Sequence, residues 1–233
     1  MKNRTESFWA GVRAELPLLI GVTPFGMIYG VLALNAGLTP ALAQWMSSII
    51  FAGSAQFITA QLIRESVPGI IIVLTIAVVN LRHMLYSASI APYVRALPMR
   101  WKVLLSYLLT DEAYAVTIGN YEKEGVTPSS HWFFFGAGLT LWISWQISTA
   151  IGIWLGTTLP ESWPLDFALP ITFIALIMPA LKDKPAIAAS LSAGVVALLA
   201  YNLPYKLGLM LAGLLGIIVG TILEGRKTPG ETL

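Results

Sequence analysis

The sequence predicts an all-α, polytopic helical membrane protein of seven to eight spans, with some helices broken at proline and glycine. Three observations carry that prediction. The 233 residues are 56% hydrophobic and only 11% charged, against roughly 25% charged in a soluble domain. Mean hydropathy is +0.74, and several apolar stretches approach the roughly 20 residues a helix needs to cross a bilayer. The alternating segments of about ten residues that mark an outer-membrane barrel are absent from the pattern. There is no cysteine, which excludes disulfides, thiolate chemistry and a cysteine metal site. The only histidines, His83 and His131, are poorly placed to share a metal. No metal or cofactor is expected.

Residues 1–15 read as a polar, uncleaved cytoplasmic start with Lys2, Arg4 and Arg13, and with Phe8 and Trp9 suited to the lipid interface. Residues 16–223 read as a single integral membrane domain, and 224–233 as a polar tail. The first span, Leu16 to Leu34, holds Pro17, Gly21, Pro24, Gly26 and Gly30. Proline removes a backbone donor and clashes with the preceding turn. Pro24 and Gly26 therefore mark a kink or a local unwinding, which a membrane tolerates only where protein or water satisfies the freed groups.

Ala41 to Ile63 is the second span. Its Gly53, Ser54 and Gln56 fit either of two readings. Small and polar residues act as glue between membrane helices. The same residues also suit an opened helix whose backbone amides face an anion.

Pro68 to Ile90 is the third span and carries Asn80-Leu81-Arg82-His83-Met84-Leu85-Tyr86-Ser87. A charge at the bilayer centre costs about 3 kcal/mol on insertion scales. Arg82 either snorkels from a helix end or, with Asn80 and His83 beside it, faces a protein interior. The fourth span, Val103 to Gly119, holds Asp111 and Glu112 near its middle. Adjacent side chains on a helix diverge by about 100°, so at most one reaches a shared site unless the helix unwinds. Arg82 is the natural partner. Two acids, a base and a histidine exceed what a structural ion pair needs, and that surplus suggests proton handling.

The fifth run, His131 to Gly156, carries Trp132, Trp142, Trp145, Trp154 and an interior Gln146. A sixth run, Leu165 to Leu181, is broken by Pro170 and Pro179, and Lys182-Asp183-Lys184-Pro185 reads as a tight turn. A seventh run spans Ala186 to Tyr201, and an eighth Leu207 to Leu223. In the eighth, Gly208, Ala212, Gly216 and Gly220 recur every four residues, a ladder for close helix packing against this chain or another. Eight spans with a cytoplasmic N-terminus place nine basic residues inside and four outside, namely Arg95, Arg100, Lys102 and Lys206. The Arg95–Lys102 loop violates the positive-inside rule locally, and one re-entrant run would leave seven spans.

Phe51-Ala52-Gly53-Ser54-Ala55-Gln56-Phe57, the Asn80–Ser87 stretch and Thr110-Asp111-Glu112-Ala113-Tyr114-Ala115, in that order, resemble the signature of the AzlC family. Gly21-Val22-Thr23-Pro24-Phe25-Gly26 is similar too, and the likeness runs from about Glu15 past Leu181. The resemblance implies the large subunit of a two-component branched-chain amino-acid exporter in a bacterial cytoplasmic (inner) membrane. It implies a small AzlD-type membrane subunit as partner and valine, leucine, isoleucine or methionine as substrate.

On that reading the substrate-binding candidates are Gly53, Ser54, Gln56, Asn80, Arg82, Tyr86 and Asp111. The proton-coupling candidates are His83, Asp111 and Glu112, with Pro24 and Gly26 as the helix break and Phe25, Phe57 and Met84 as the apolar wall. Two alternatives share these residues: an uncoupled channel or facilitator whose wet pore they line, and a non-transporting scaffold subunit. An intramembrane enzyme is disfavoured, since neither G-x-S-x-G nor H-E-x-x-H occurs. Scattered basic residues form no stripe for nucleic acid.

Overall fold

The computed structural model describes residues 3–158, 181, 183–203 and 207–224. Ten helices lie within them: α1 (Arg4–Asn35), α2 (Pro40–Ile49), α3 (Gly53–Arg64), α4 (Gly69–Val79), α5 (Leu81–Val94), α6 (Met99–Tyr107), α7 (Asp111–Glu124), α8 (Ser130–Thr158), α9 (Lys184–Leu199) and α10 (Leu207–Glu224). The described residues contain no strand. The sixth apolar run and the polar tail fall outside them, apart from Leu181 and Glu224. The chain divides into two compact units.

The first unit is built on α1 and α8. Helix α1 starts at Arg4, earlier than expected, because Asn3 and Glu6 form a reciprocal capping box. Residues 4–15 are thus the opening turns of a long helix, with Ser7, Gly11 and Glu15 buried. Helices α1 and α8 run parallel, and their contacts climb together. Ser7 donates to Ser129 Oγ at 3.1 Å, and Thr23 and Ser144 hydroxyls meet at 3.3 Å. A Cβ on Gly11 would stand 2.0 Å from the Phe133 carbonyl oxygen, and one on Gly152 2.0 Å from that of Met27. Glycine is required there because backbone touches backbone. Pro24 and Gly26 lie inside this unbroken helix. Of the kink or local unwinding expected at them, the unwinding is absent, and Gly26 makes room for Ser148, whose Oγ would lie 2.0 Å from an added Cβ.

The second and fourth expected spans are each two half-helices that fold back on themselves. Helix α6 enters beside the start of α8, where the Trp101 ring lies 4.8 Å from His131 and 4.9 Å from Trp132. Its end reaches Gly138, where Leu108 Cβ would stand 2.8 Å from an added Cβ, about 10 Å further along α8 at 1.5 Å per residue. The chain breaks at 108–110, and α7 returns to the start of α8, where the Tyr121 hydroxyl donates to the Ser130 carbonyl at 3.1 Å. Helices α2 and α3 form the opposing hairpin. Tyr29 of α1 touches both arms, donating to the Ala43 carbonyl at 2.9 Å and packing edge-on against Phe57. Tip meets tip where the Tyr107 hydroxyl donates to the Ser48 carbonyl.

Helix α5 lies along α7, with Tyr86 against Tyr114 and Tyr93 against Tyr121. The α5–α6 loop therefore emerges at the end where α1 and α8 begin, and Arg4 and Arg100 line one cavity there with Trp101, His131 and Trp132. This corrects the topology drawn from the sequence: Arg95, Arg100 and Lys102 belong with the N-terminal charges and do not oppose them. Three helices among the described residues are long and apolar enough to cross a membrane, Arg4–Asn35, Gly69–Val94 and Leu207–Glu224, with Lys184–Leu199 a shorter apolar helix. The seven to eight spans expected from the sequence are not confirmed among the described residues.

In the second unit α9 and α10 pack along the glycine ladder. A Cβ on Gly208 would lie 2.4 Å from the Ala200 carbonyl oxygen and one on Gly216 3.0 Å from Ala193 Cβ, so the ladder's partner is this chain's own α9. Asp183 caps α9 by accepting from the Ala186 amide at 2.9 Å. Thr75 of α4 reaches Met210 Sδ of α10 at 3.5 Å.

Candidate functional site

Three helix N-termini meet in the first unit. Helix α3 starts at Gly53 after the break at 50–52, α5 starts at Leu81 after Asn80, and α7 starts at Asp111 after the break at 108–110. The first amides of a helix have no carbonyl a turn behind them, and each terminus carries roughly half a positive charge.

Arg82, on the first turn of α5, ties the three together. Its Nη1 lies 2.8 Å from Asp111 Oδ2, and its Nη2 donates to Ser54 Oγ at 2.7 Å. Asp111 Oδ1 accepts from the Tyr86 hydroxyl, so both carboxylate oxygens are held. Tyr86 stacks on Tyr114 with ring centroids 4.6 Å apart, and the Tyr114 hydroxyl donates to Ser89 Oγ at 2.9 Å. The His83 ring stands edge-on to Tyr86 at 5.8 Å. Asp111 and Glu112 occupy the first turn of α7, where the helix dipole favours acids. The break before Asp111 is the unwinding that the sequence required for both acids to share one locality. Three helix termini and the Arg82 guanidinium face the carboxyl groups of α7's first turn there.

The site has spare bonding capacity. Arg82 Nε, Asn80 Oδ1 and His83 Nδ1 are buried and have no hydrogen-bond partner among the described residues. Buried polar groups are normally paired, and exceptions call for an explanation such as a ligand or water. Ser54, Arg82, Tyr86 and Asp111 are thus in direct contact, with Gly53, Asn80, His83 and Glu112 adjoining them in sequence or by ring contact.

Gln56 has a different task. Its Nε2 donates to the carbonyls of Ile50 and Ser47 and its Oε1 accepts from Trp145 Nε1 at 3.1 Å, so it straps the α2–α3 break and is wholly buried. The expected apolar wall does not form from the named residues. Phe57 is buried between Phe25 and Tyr29, and Met84 is 67% exposed. Sequence reasoning missed Glu15, which is 0% exposed with neither carboxylate oxygen partnered. The signal was present: Ser7, Gly11, Glu15, Val22 and Gly26 follow one buried helical face, and that face runs through the segment read as a polar start.

A family model described as AzlC protein matches residues 17–159. The chain belongs to the AzlC family. That match covers α1 from Pro17 on, α8, both hairpins and every site residue named from the sequence. Among relatives of this AzlC-family chain, the inner membrane protein YgaZ of Escherichia coli is 26% identical over 93% of this chain and 89% of its own length. An uncharacterised membrane protein of Archaeoglobus fulgidus is 30% identical over 92% and 94%. The branched-chain amino acid transport protein AzlC of Bacillus subtilis is 25% identical over 78% and 73%. No solved structure matches. Named membrane relatives and apolar helices make this a membrane protein of a family with a named amino-acid transporter.

Proposed function

We propose that this protein exports branched-chain and similar small apolar amino acids across the bacterial inner membrane, driven by the proton gradient, as the large subunit of a two-component exporter. The observation that carries the reading is Arg82: a guanidinium bridging two hairpin tips at three helix N-termini, with Nε unpartnered. A substrate carboxylate takes donors from Arg82 and from the free amides at Gly53 and Ser54. Its ammonium faces Asp111 and Glu112. Protonation of Asp111, Glu112 or His83 loosens the ammonium contact or the Arg82 pairing and so links proton movement to release. Branched-chain amino acids enter as the substrate named for the Bacillus subtilis relative. A small AzlD-type subunit is the second component. The positive-inside rule assigns the end carrying Arg4, Arg95, Arg100, Lys102 and Lys123 to the cytoplasm.

The test is uptake of radiolabelled leucine into inverted vesicles, with and without the small subunit and with and without an imposed proton gradient. Gradient-dependent accumulation that disappears in Arg82→Ala and Asp111→Asn supports the reading. Leucine movement indifferent to the gradient replaces it with a facilitator. No leucine movement by folded protein with its partner present ends the substrate assignment.

A further inference from the structure

We propose that the groove between α5 and α6 is the cytoplasmic vestibule of the transport site, taking an amino acid by its carboxylate at Arg95 and Lys102 and by its aliphatic side chain at Ile90, Leu105, Leu109 and Phe134. This rests on the reading of the protein as an amino-acid exporter. The two walls are marked in the sequence. Ser87, Ile90 and Val94 fall on one stripe of α5, and Lys102, Leu105 and Leu109 repeat the same i, i+3, i+7 spacing along α6 and the break that ends it. Apolar stripes of that kind normally bury themselves on a neighbour. Here they line a cavity of about 330 Å³, within the range of about 300–1,000 Å³ typical of small-molecule sites.

The cavity is graded from end to end. Helix α5 runs away from the site and α6 runs back toward it, because the loop between them emerges where α1 and α8 begin. Arg95 and Lys102 therefore share the outer end. Ser87 and Leu109 share the inner end, with Ser87 roughly 12 Å from Arg95 at 1.5 Å per residue. Ser87 follows Tyr86, whose hydroxyl donates to Asp111, and Leu109 lies in the break that leads into α7 at Asp111. The floor is hydrocarbon: Ile90, Leu105, Leu109 and Phe134 are each 5% exposed or less. These residues supply the apolar wall that Phe25, Phe57 and Met84 do not.

The charges select the ligand. No residue lining the cavity is acidic, and among the described residues neither Arg95 nor Lys102 is paired with a carboxylate. Two cations at the mouth of an apolar slot attract a carboxylate and repel an ammonium that comes without one. A polar side chain would lose its water against the floor and find no partner there. The ligand class is thus an α-carboxylate bearing an aliphatic side chain. Its ammonium is met further in, where Asp111 and Glu112 begin α7. Substrates are sorted in the vestibule before they reach Arg82.

The experiment places single cysteines at Ile90 and Ser106, both lining the cavity, and at Ala96 on the loop outside it. Each is reacted with a membrane-impermeant thiol reagent in inverted vesicles that also hold the small subunit. Saturating leucine is expected to slow the reaction of Ile90→Cys and Ser106→Cys at least about fivefold by occupancy. Leucinamide, which lacks the carboxylate, should leave both unchanged, and Ala96→Cys should react alike throughout. Replacing both cations, Arg95→Gln with Lys102→Gln, should raise the leucine concentration for half-protection and the KM of export at least about tenfold, with kcat nearly unchanged. Wild type that transports leucine while neither cavity cysteine is protected overturns the vestibule and leaves the exporter reading standing. Failure of the reagent to reach either cysteine does the same, as does protection by leucinamide equal to that by leucine. Protection by added anionic phospholipid in place of leucine gives the groove to lipid and also overturns the proposal. Wild type that moves no leucine, together with cavity cysteines that leucine does not protect, overturns both readings.

Discussion

Arg82 and Asp111 stand 2.8 Å apart, one at the start of α5 and the other at the start of α7, and each is also held by a hydroxyl, Ser54 for the arginine and Tyr86 for the aspartate. Both side chains are about one-third exposed, so their ion pair is partly screened and adds little to stability, on the order of 1 kcal/mol. Arg82→Gln and Asp111→Asn are expected to reduce leucine uptake at least about tenfold each while barely shifting the melting temperature, and the double variant should be scarcely worse than either single one. Additive losses in the double-mutant cycle would show that the two act separately.

Gln56 is expected to matter for stability. Replacing it with leucine leaves the buried Trp145 indole without a partner and takes one of two donors from each of the Ser47 and Ile50 carbonyls, at about 1–3 kcal/mol for the buried group left unsatisfied. Melting of purified Gln56→Leu in detergent should fall clearly, whereas Gln61→Leu, at an exposed position on the same helix, should melt like wild type. Equal melting of the two would remove the strap from the account.

The hairpin topology is open to direct labelling, because the chain has no cysteine to interfere. Single cysteines at Thr5, Ala96 and Lys123 should react with a membrane-impermeant thiol reagent from one side of the membrane, and one at Asn35 from the other. Opposite-sided labelling of Ala96→Cys and Lys123→Cys would mean that α6 and α7 together cross the bilayer, and the re-entrant arrangement would be wrong.

Glycines at the α1–α8 contact should tolerate no side chain. Gly152→Val puts carbon 2.0 Å from the Met27 carbonyl oxygen. Overpacking of a core commonly costs about 1–3 kcal/mol, and a backbone contact has less room to yield than a side chain. Gly21→Ala, with nothing within 4 Å of its added Cβ, is the matched control. A thermal melt of both variants checks the contrast.

The helical class and the membrane setting were legible in the sequence, and intramembrane Arg82 and Asp111 marked two stretches that the structure brings together. The hairpins were not. Residues 40–64 are as long as a span and nearly as apolar, and hydropathy counts residues without recording which way the chain turns. The break at 50–52 was one of two readings left open by Gly53 and Gln56, and packing chose between them. Gln56 was misread because a glutamine that binds a ligand and one that straps a carbonyl look identical in a string of letters. Glu15 was assigned to a polar lead-in because Arg4 and Arg13 precede it, although the small-residue face of α1 already ran through it.

The parallel pair α1 and α8 leaves no slack for motion. Glycines at several successive levels put one backbone directly on the other, so sliding or parting these helices would break contacts along their whole length at once. The hairpin tips are joined to each other and to α5 by a few single hydrogen bonds, at Ser48–Tyr107, Ser54–Arg82 and Asp111–Tyr86. A carrier must open its site first to one side and then to the other. On the exporter reading proposed above, the fixed pair is the frame of that cycle, and the tips, entering from opposite ends, are the two gates that a single arginine holds together.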